Sequence, residues 1–154
     1  MKYSPLRLIR FYYTAARWPE YLAPLFDLGL RLYLGKVFFS SGLTKIMTWS
    51  STLYLFNDVY AVPLLPPEVA AYLATSVELG MSTLLVLGLF GRFAASGLFI
   101  LNAVAVISYG DLSQAGLNQH LSWGILLGVM LVLSRGKWSL DAWLEQRLRR
   151  TASQ

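Results

Sequence analysis

The chain has 154 residues, enough for one domain, and 56% of them are hydrophobic while only 14% are charged. A soluble domain carries about 25% charged residues, so this chain lacks the polar surface to meet water on every side and reads as a polytopic membrane protein. Its net charge of +5 is then no argument for nucleic acid, and the absence of cysteine excludes disulfides, thiolate metal sites, CxxC redox chemistry and iron–sulfur clusters. Any redox role needs a bound cofactor or a partner subunit.

Residues 1–21, "MKYSPLRLIRFYYTAARWPEY", lack the apolar core and small-residue cleavage site of a secretory signal. Arg7, Arg10 and Arg17 interleave with Leu6, Ile9, Tyr12, Tyr13 and Trp18, the pattern of a basic, aromatic helix on a membrane surface. Four segments then have about the 20 apolar residues a spanning helix requires: roughly 22–46, 69–90, 93–109 and 115–134. Pro66, Pro67 and Glu68 suit the start of the second. Only "GLFGR" divides the second from the third, which makes them a tight helical hairpin, and Gly110 and Asp111 divide the third from the fourth.

The first outer loop, "MTWSSTLYLFNDVYAVPLLPPE", is predicted to hold a short helix with Trp49, Tyr54, Phe56 and Tyr60. An aromatic belt at the interface is the simpler reading, ahead of a lid over the bundle mouth. Residues 135–154 form a basic tail in which Ser139 can cap an amphipathic helix, with Leu140, Trp143 and Leu148 toward the membrane. The fold class is therefore all-α: a transmembrane four-helix bundle spanning residues 22–134, with interfacial amphipathic helices at both termini and in the first outer loop.

Setting aside Arg31, Lys36 and Lys45, the other ten of the 13 lysines and arginines fall in the N-terminal arm, at Arg92 or in the tail. All lie on one side of a four-pass arrangement. The loops on the other side, about 47–68 and 110–114, hold only acids: Asp58, Glu68 and Asp111. By the positive-inside rule both termini are cytoplasmic.

Three cations remain inside the first span. Arg31, Gly35, Phe38, Gly42 and Lys45 follow a four–three spacing along one helix face, and its glycines let a neighbour approach. Lys36 lies about 140° away from that stripe and faces another neighbour, an oligomer interface or lipid. An ionisable group at membrane depth costs about 2.5–3.5 kcal/mol, so a partner is expected. Glu78, in "TSVELGMS", is read as the only deep acid, and counting depth from the ends of antiparallel helices pairs it with Arg31, ahead of Lys36. Asn102 lies at mid-span of the third helix and can add a hydrogen bond to that cluster. His120 in the fourth and Lys45 in the first stand at the outer mouth. A small polar ligand, a quinone headgroup or water fits between mouth and mid-depth. No metal site, P-loop, dinucleotide fingerprint or hydrolase triad is present, and the sequence identifies no catalytic residue.

"RLYLGKVFFSSGLTKI", with Arg31, Gly35, Gly42 and Lys45, resembles the first-helix signature of DoxX-type membrane proteins. "LPPEVAAYLATSVELGMSTLLVLGLFGRFAA", with Glu78, Gly88 and Arg92, is similar to their second helix and tight turn. "RGKWSLDAWL", with Gly136, Ser139, Leu140 and Asp141, resembles their closing segment. The resemblance covers roughly residues 25–145. It implies a bacterial inner-membrane bundle of four helices in which the charged positions Arg31, Lys45 and Glu78 recur. Some DoxX-type proteins are membrane subunits of thiosulfate:quinone oxidoreductase, and others are linked to membrane oxidoreductase complexes that protect against oxidative and thiol stress. The resemblance thus leads to a subunit of a redox system, catalytic or not, that binds a quinone or a soluble or membrane-bound oxidoreductase partner. Arg31 and Glu78 would organise the interior, and Lys45 and His120, with Asn102 and Lys36 as further candidates, would meet the ligand. A small transporter or channel component, or a structural scaffold, is the alternative, and a homo-oligomer is compatible with each.

Overall fold

The structure is a computed structural model that describes residues 9, 10, 12, 14, 18–133 and 139–152. The surface-helix reading of the arm rests mainly on residues outside that set, among them Leu6, Arg7, Tyr13 and Arg17, as do Arg135, Gly136 and Lys137 of the tail. Among the described residues every element is helical: α1 Trp18–Met47, α2 Trp49–Asp58, α3 Pro67–Leu87, α4 Gly91–Ser108, α5 Gln114–Leu133 and α6 Leu140–Ala152.

Among the described residues, three helices are long and apolar enough to cross a membrane: α3, α4 and Gln114–Val132 of α5. Only 33%, 28% and 11% of their apolar windows is buried inside the protein, so most of that apolar surface faces outward, where acyl chains would meet it. The 30-residue α1 is not among them, because Asp27, Arg31, Lys36 and Lys45 are spread along it. It runs through Pro24 without a break, so the expected boundary between arm and first span falls inside a helix.

α1 packs mainly on α3, α3 on α4, and α4 on α5, with α2 over the outer end of α3. Small residues set these approaches. A methyl group at Gly42 would lie 2.9 Å from Leu79 Cγ and 3.0 Å from Glu78 Cβ, and one at Gly35 would collide with Val86 Cγ2. The core between the helices is Leu34, Phe38, Leu85, Ala94, Ala95, Leu98, Leu127 and Met130. Several hydroxyls on the apolar helices bond back to their own backbone, as Thr75 does to the Ala71 carbonyl at 2.8 Å and Thr83 to that of Leu79 at 2.7 Å, so these add no unpaired groups in lipid.

The hairpin turn between α3 and α4 needs Gly88, whose φ of 67° closes α3 in the left-handed conformation. The Leu89 amide then donates to the Leu84 carbonyl at 3.0 Å. α6 docks on this turn. The Asp141 carboxylate accepts from the Phe90 and Gly91 amides at 3.1 and 3.2 Å, capping α4 from a distant part of the chain. The Ala142 amide donates to the Ser139 hydroxyl at 3.2 Å, as expected of an N-cap.

Candidate functional site

Two polar clusters form at opposite ends of the contact between α1 and α3, inner and outer in the expected topology. At the inner end Arg31, 2% exposed, pairs with Asp27 one turn earlier on the same helix. The Arg31 guanidinium also lies against Gly88, which has no room for a Cβ there. A cavity of about 610 Å³ opens beside it, lined by Phe90, Arg92, Asp141 and Glu145 among others. Its carboxylates are engaged in structure. Asp141 caps α4, and Glu145 accepts from Arg149.

At the outer end Lys45 Nζ donates to both Glu78 carboxylate oxygens, at 2.8 and 2.9 Å, and to Ser41 Oγ at 2.9 Å. Ser41 Oγ in turn donates to Glu78 Oε1 at 3.1 Å. The expected Arg31–Glu78 pair does not form. The glycine contacts fix the helix register, with Gly42 level with Glu78 and Arg31 level with Gly88. Arg31 is therefore ten residues, about 15 Å, from Glu78 along the bundle. Side-chain direction adds to this. Helical side chains lean toward their own N-terminus, so in antiparallel α1 and α3 Lys45 leans inward and Glu78 outward until they meet, while Arg31 leans away toward Asp27.

Lys36 is also not a partner of Glu78. It is exposed on the outward face of α1 and does not line the outer cavity. Asn102 joins neither charge. It lies on the α4 face buried against α5, with Ala95 and Leu98, and bonds His120 twice: its Nδ2 donates to the His120 carbonyl at 2.9 Å, and its Oδ1 is 2.8 Å from His120 Nδ1.

Lys45, Glu78 and His120 line one cavity of about 350 Å³. Its remaining wall is largely apolar: Val62, Leu65, Leu73, Val77, Ile100, Leu101 and Val104. The first outer loop lines one side of it, where a lid would lie, through Phe56, Tyr60, Val62 and Leu65. Phe56 and Tyr60 stack edge to face at 5.1 Å, Tyr60 meets Tyr109 at 5.4 Å, and all three rings line the cavity. The Ala61 amide ties the lid to the Ser108 carbonyl at 2.9 Å. Burial, with Tyr109 and Glu78 nearby, pushes the Tyr60 phenol above its ordinary value, so it stays a protonated donor. Ser108 Oγ, in the same wall, is buried without a hydrogen bond to any described residue. Among the described residues no group of His, Asp and Glu is arranged to hold a metal ion.

The arrangement is a neutral polar patch in an apolar chamber. Lys45 and Glu78 cancel, and the ammonium has a hydrogen bond for each of its three donors. The sequence argument misses Asp27 in the inner cluster and Ser41 and Ser108 in the outer one. Asp27 shows itself by its i,i+4 spacing to Arg31 and Ser41 by the same spacing to Lys45, whereas nothing local marks Ser108.

A family model, DoxX, matches residues 26–111, more than half of the chain. The chain belongs to the DoxX family. With its apolar helices this makes it a multi-pass membrane protein. No curated protein and no solved structure matches it. The DoxX match takes in Asp27, Arg31, Lys45, Glu78 and Asn102, and it ends before α5, so His120 and Trp123 lie beyond it. The closing segment around Ser139 and Asp141 lies beyond it as well.

Proposed function

We propose that this DoxX-family protein is a four-pass inner-membrane subunit of a redox or oxidative-stress system, with both termini cytoplasmic, and that its outer cavity takes the headgroup of a quinone. A partner oxidoreductase would exchange electrons with that quinone. The observation that carries the reading is the chemistry of the outer cavity: apolar walls around a patch without net charge, in a volume of about 350 Å³, within the range of small-molecule sites. An anion finds no spare cation there, because Lys45 is neutralised by Glu78. A neutral ring gains burial against Leu73, Val77 and Leu101, with hydrogen-bonding groups on the lid and on α5.

The fourth span is α1. It follows α3 from Gly42 down to Arg31, so a membrane that α3 crosses is crossed by α1 alongside it. Its charges at Asp27, Arg31 and Lys45 are internally paired, which offsets their cost at depth. Arg92 and the basic residues of α6 share one side, and Asp58, Glu68 and Asp111 lie on the other. In this orientation α6 lies on the inner interface, where Arg147 stacks over the exposed Trp143 ring at 4.4 Å.

Protein purified with its native lipids should carry quinone in an organic extract, and the double variant Lys45→Met/Glu78→Leu should lose it while remaining folded. The reading fails if the wild type carries none and neither an added quinone nor an oxidoreductase partner binds.

A further inference from the structure

We infer that Asn102 locks His120 in the tautomer whose Nε2 lone pair is left for the outer cavity, so that the cavity selects a ring bearing a hydroxyl group at that end. The inference deepens the quinone-site reading and rests on it.

The lock follows from which atoms can donate. The His120 carbonyl only accepts, so the Asn102 atom 2.9 Å from it must be the amide nitrogen. That leaves the Asn102 oxygen facing His120 Nδ1 at 2.8 Å. This oxygen also only accepts, so Nδ1 carries the proton, and in a neutral imidazole Nε2 then has none. Asn102 is held for the task. It is 5% exposed, and the close passage of α5 at Gly124, where a methyl group would lie 3.3 Å from Asn102 Nδ2, leaves the amide little room to turn. The Trp123 ring packs edge to face on His120 at 5.1 Å and limits its swing.

His120 lines the cavity and Asn102 does not, so the amide holds the ring from behind. Nε2 has no hydrogen bond to a described residue. A ligand hydroxyl supplies a partner by donating to Nε2. A quinone carbonyl or a methyl ether offers Nε2 no proton. At this end the site therefore favours a hydroquinone over its oxidised form. Asn102 is a positioning residue, acting through His120.

His120 is the only histidine in the chain, so ¹⁵N-histidine labelling of the full-length protein in nanodiscs reads this ring alone. The expected spectrum has Nδ1 protonated and Nε2 bare, with Nε2 moving when decylhydroquinone is added. In titrations, decylhydroquinone should bind about tenfold more tightly than decylhydroquinone dimethyl ether or decylbenzoquinone, the effect of one buried hydrogen bond. Asn102→Leu should release the tautomer and bring the three probes within about twofold. His120→Phe, which keeps the ring but has no Nε2, should do the same and serves if Asn102→Leu does not fold. Protonated Nε2 in the wild type, or equal binding of the three probes to it, overturns the inference and leaves the quinone-site reading standing. Binding of none of the three overturns both.

Discussion

The inner and outer ends of the α1–α3 contact each hold a cation, the buried Arg31 and the half-buried Lys45, yet they solve its desolvation in different ways. Arg31 is answered within its own helix by Asp27, four residues earlier. Lys45 is answered across the bundle by Glu78, 33 residues later in the chain. A local pair can form as soon as α1 does. The long-range pair fixes the register of α1 on α3 and sets a polar patch in a chamber walled by α3, α4 and the aromatic lid. On the proposed reading, the difference separates a clamp that makes α1 tolerable in a membrane from a site that can hold a ligand.

The largest effect is expected from Glu78→Gln. It leaves the Lys45 ammonium, 21% exposed, without its counter-charge; breaking a buried pair costs about 3–5 kcal/mol, and the partial exposure of Lys45 sets the expected loss at the low end of that range. Chemical unfolding in detergent measures it, and Lys45→Met added to Glu78→Gln should recover most of the loss. A smaller and more local effect is expected at the inner end. Asp27→Asn should lower stability by about 1–3 kcal/mol and leave the quinone content of the purified protein unchanged. Equal loss of quinone from the two ends would erase the distinction between clamp and site.

The shared helix contact offers a third test. Gly35→Ala collides with Val86, and such overpacking costs about 1–3 kcal/mol. Gly29→Ala and Gly80→Ala have open space and should be neutral or slightly stabilising. The smallest expected effect is that of Asp141→Ala, which removes the cap of α4 and should lower the unfolding midpoint by the equivalent of about 1 kcal/mol.

The architecture of α3, α4 and α5 is legible in the sequence because runs of apolar residues long enough to cross a membrane announce themselves, and Gly88 and Gly91 mark the turn between the first two. Partners of individual charges are harder to read. Counting depth from helix ends pairs Arg31 with Glu78, but α1 begins at Trp18, ahead of the expected span, and the glycine contacts set Arg31 level with Gly88 at the hairpin turn, about 15 Å from Glu78. Long side chains reach about a turn toward the N-terminus, in opposite directions on antiparallel helices, and that shift gives Glu78 to Lys45. The omission of Asp27 is of another kind. Its spacing to Arg31 is a plain local signal, obscured when the search for partners looks only to other helices. The Asn102–His120 contact depends on which faces α4 and α5 turn to each other. α5 is apolar nearly all round, so its pattern does not single out a buried face.

The most direct test of the outer chamber as the ligand site is photolabelling of the protein in nanodiscs with an azidoquinone, followed by peptide mapping. Labels on the chamber wall, at Leu101, Val104, Tyr109 or His120, are the expected result. Labels at the inner turn, on Phe90 or Phe93, or labelling that excess unlabelled quinone fails to suppress, would contradict it.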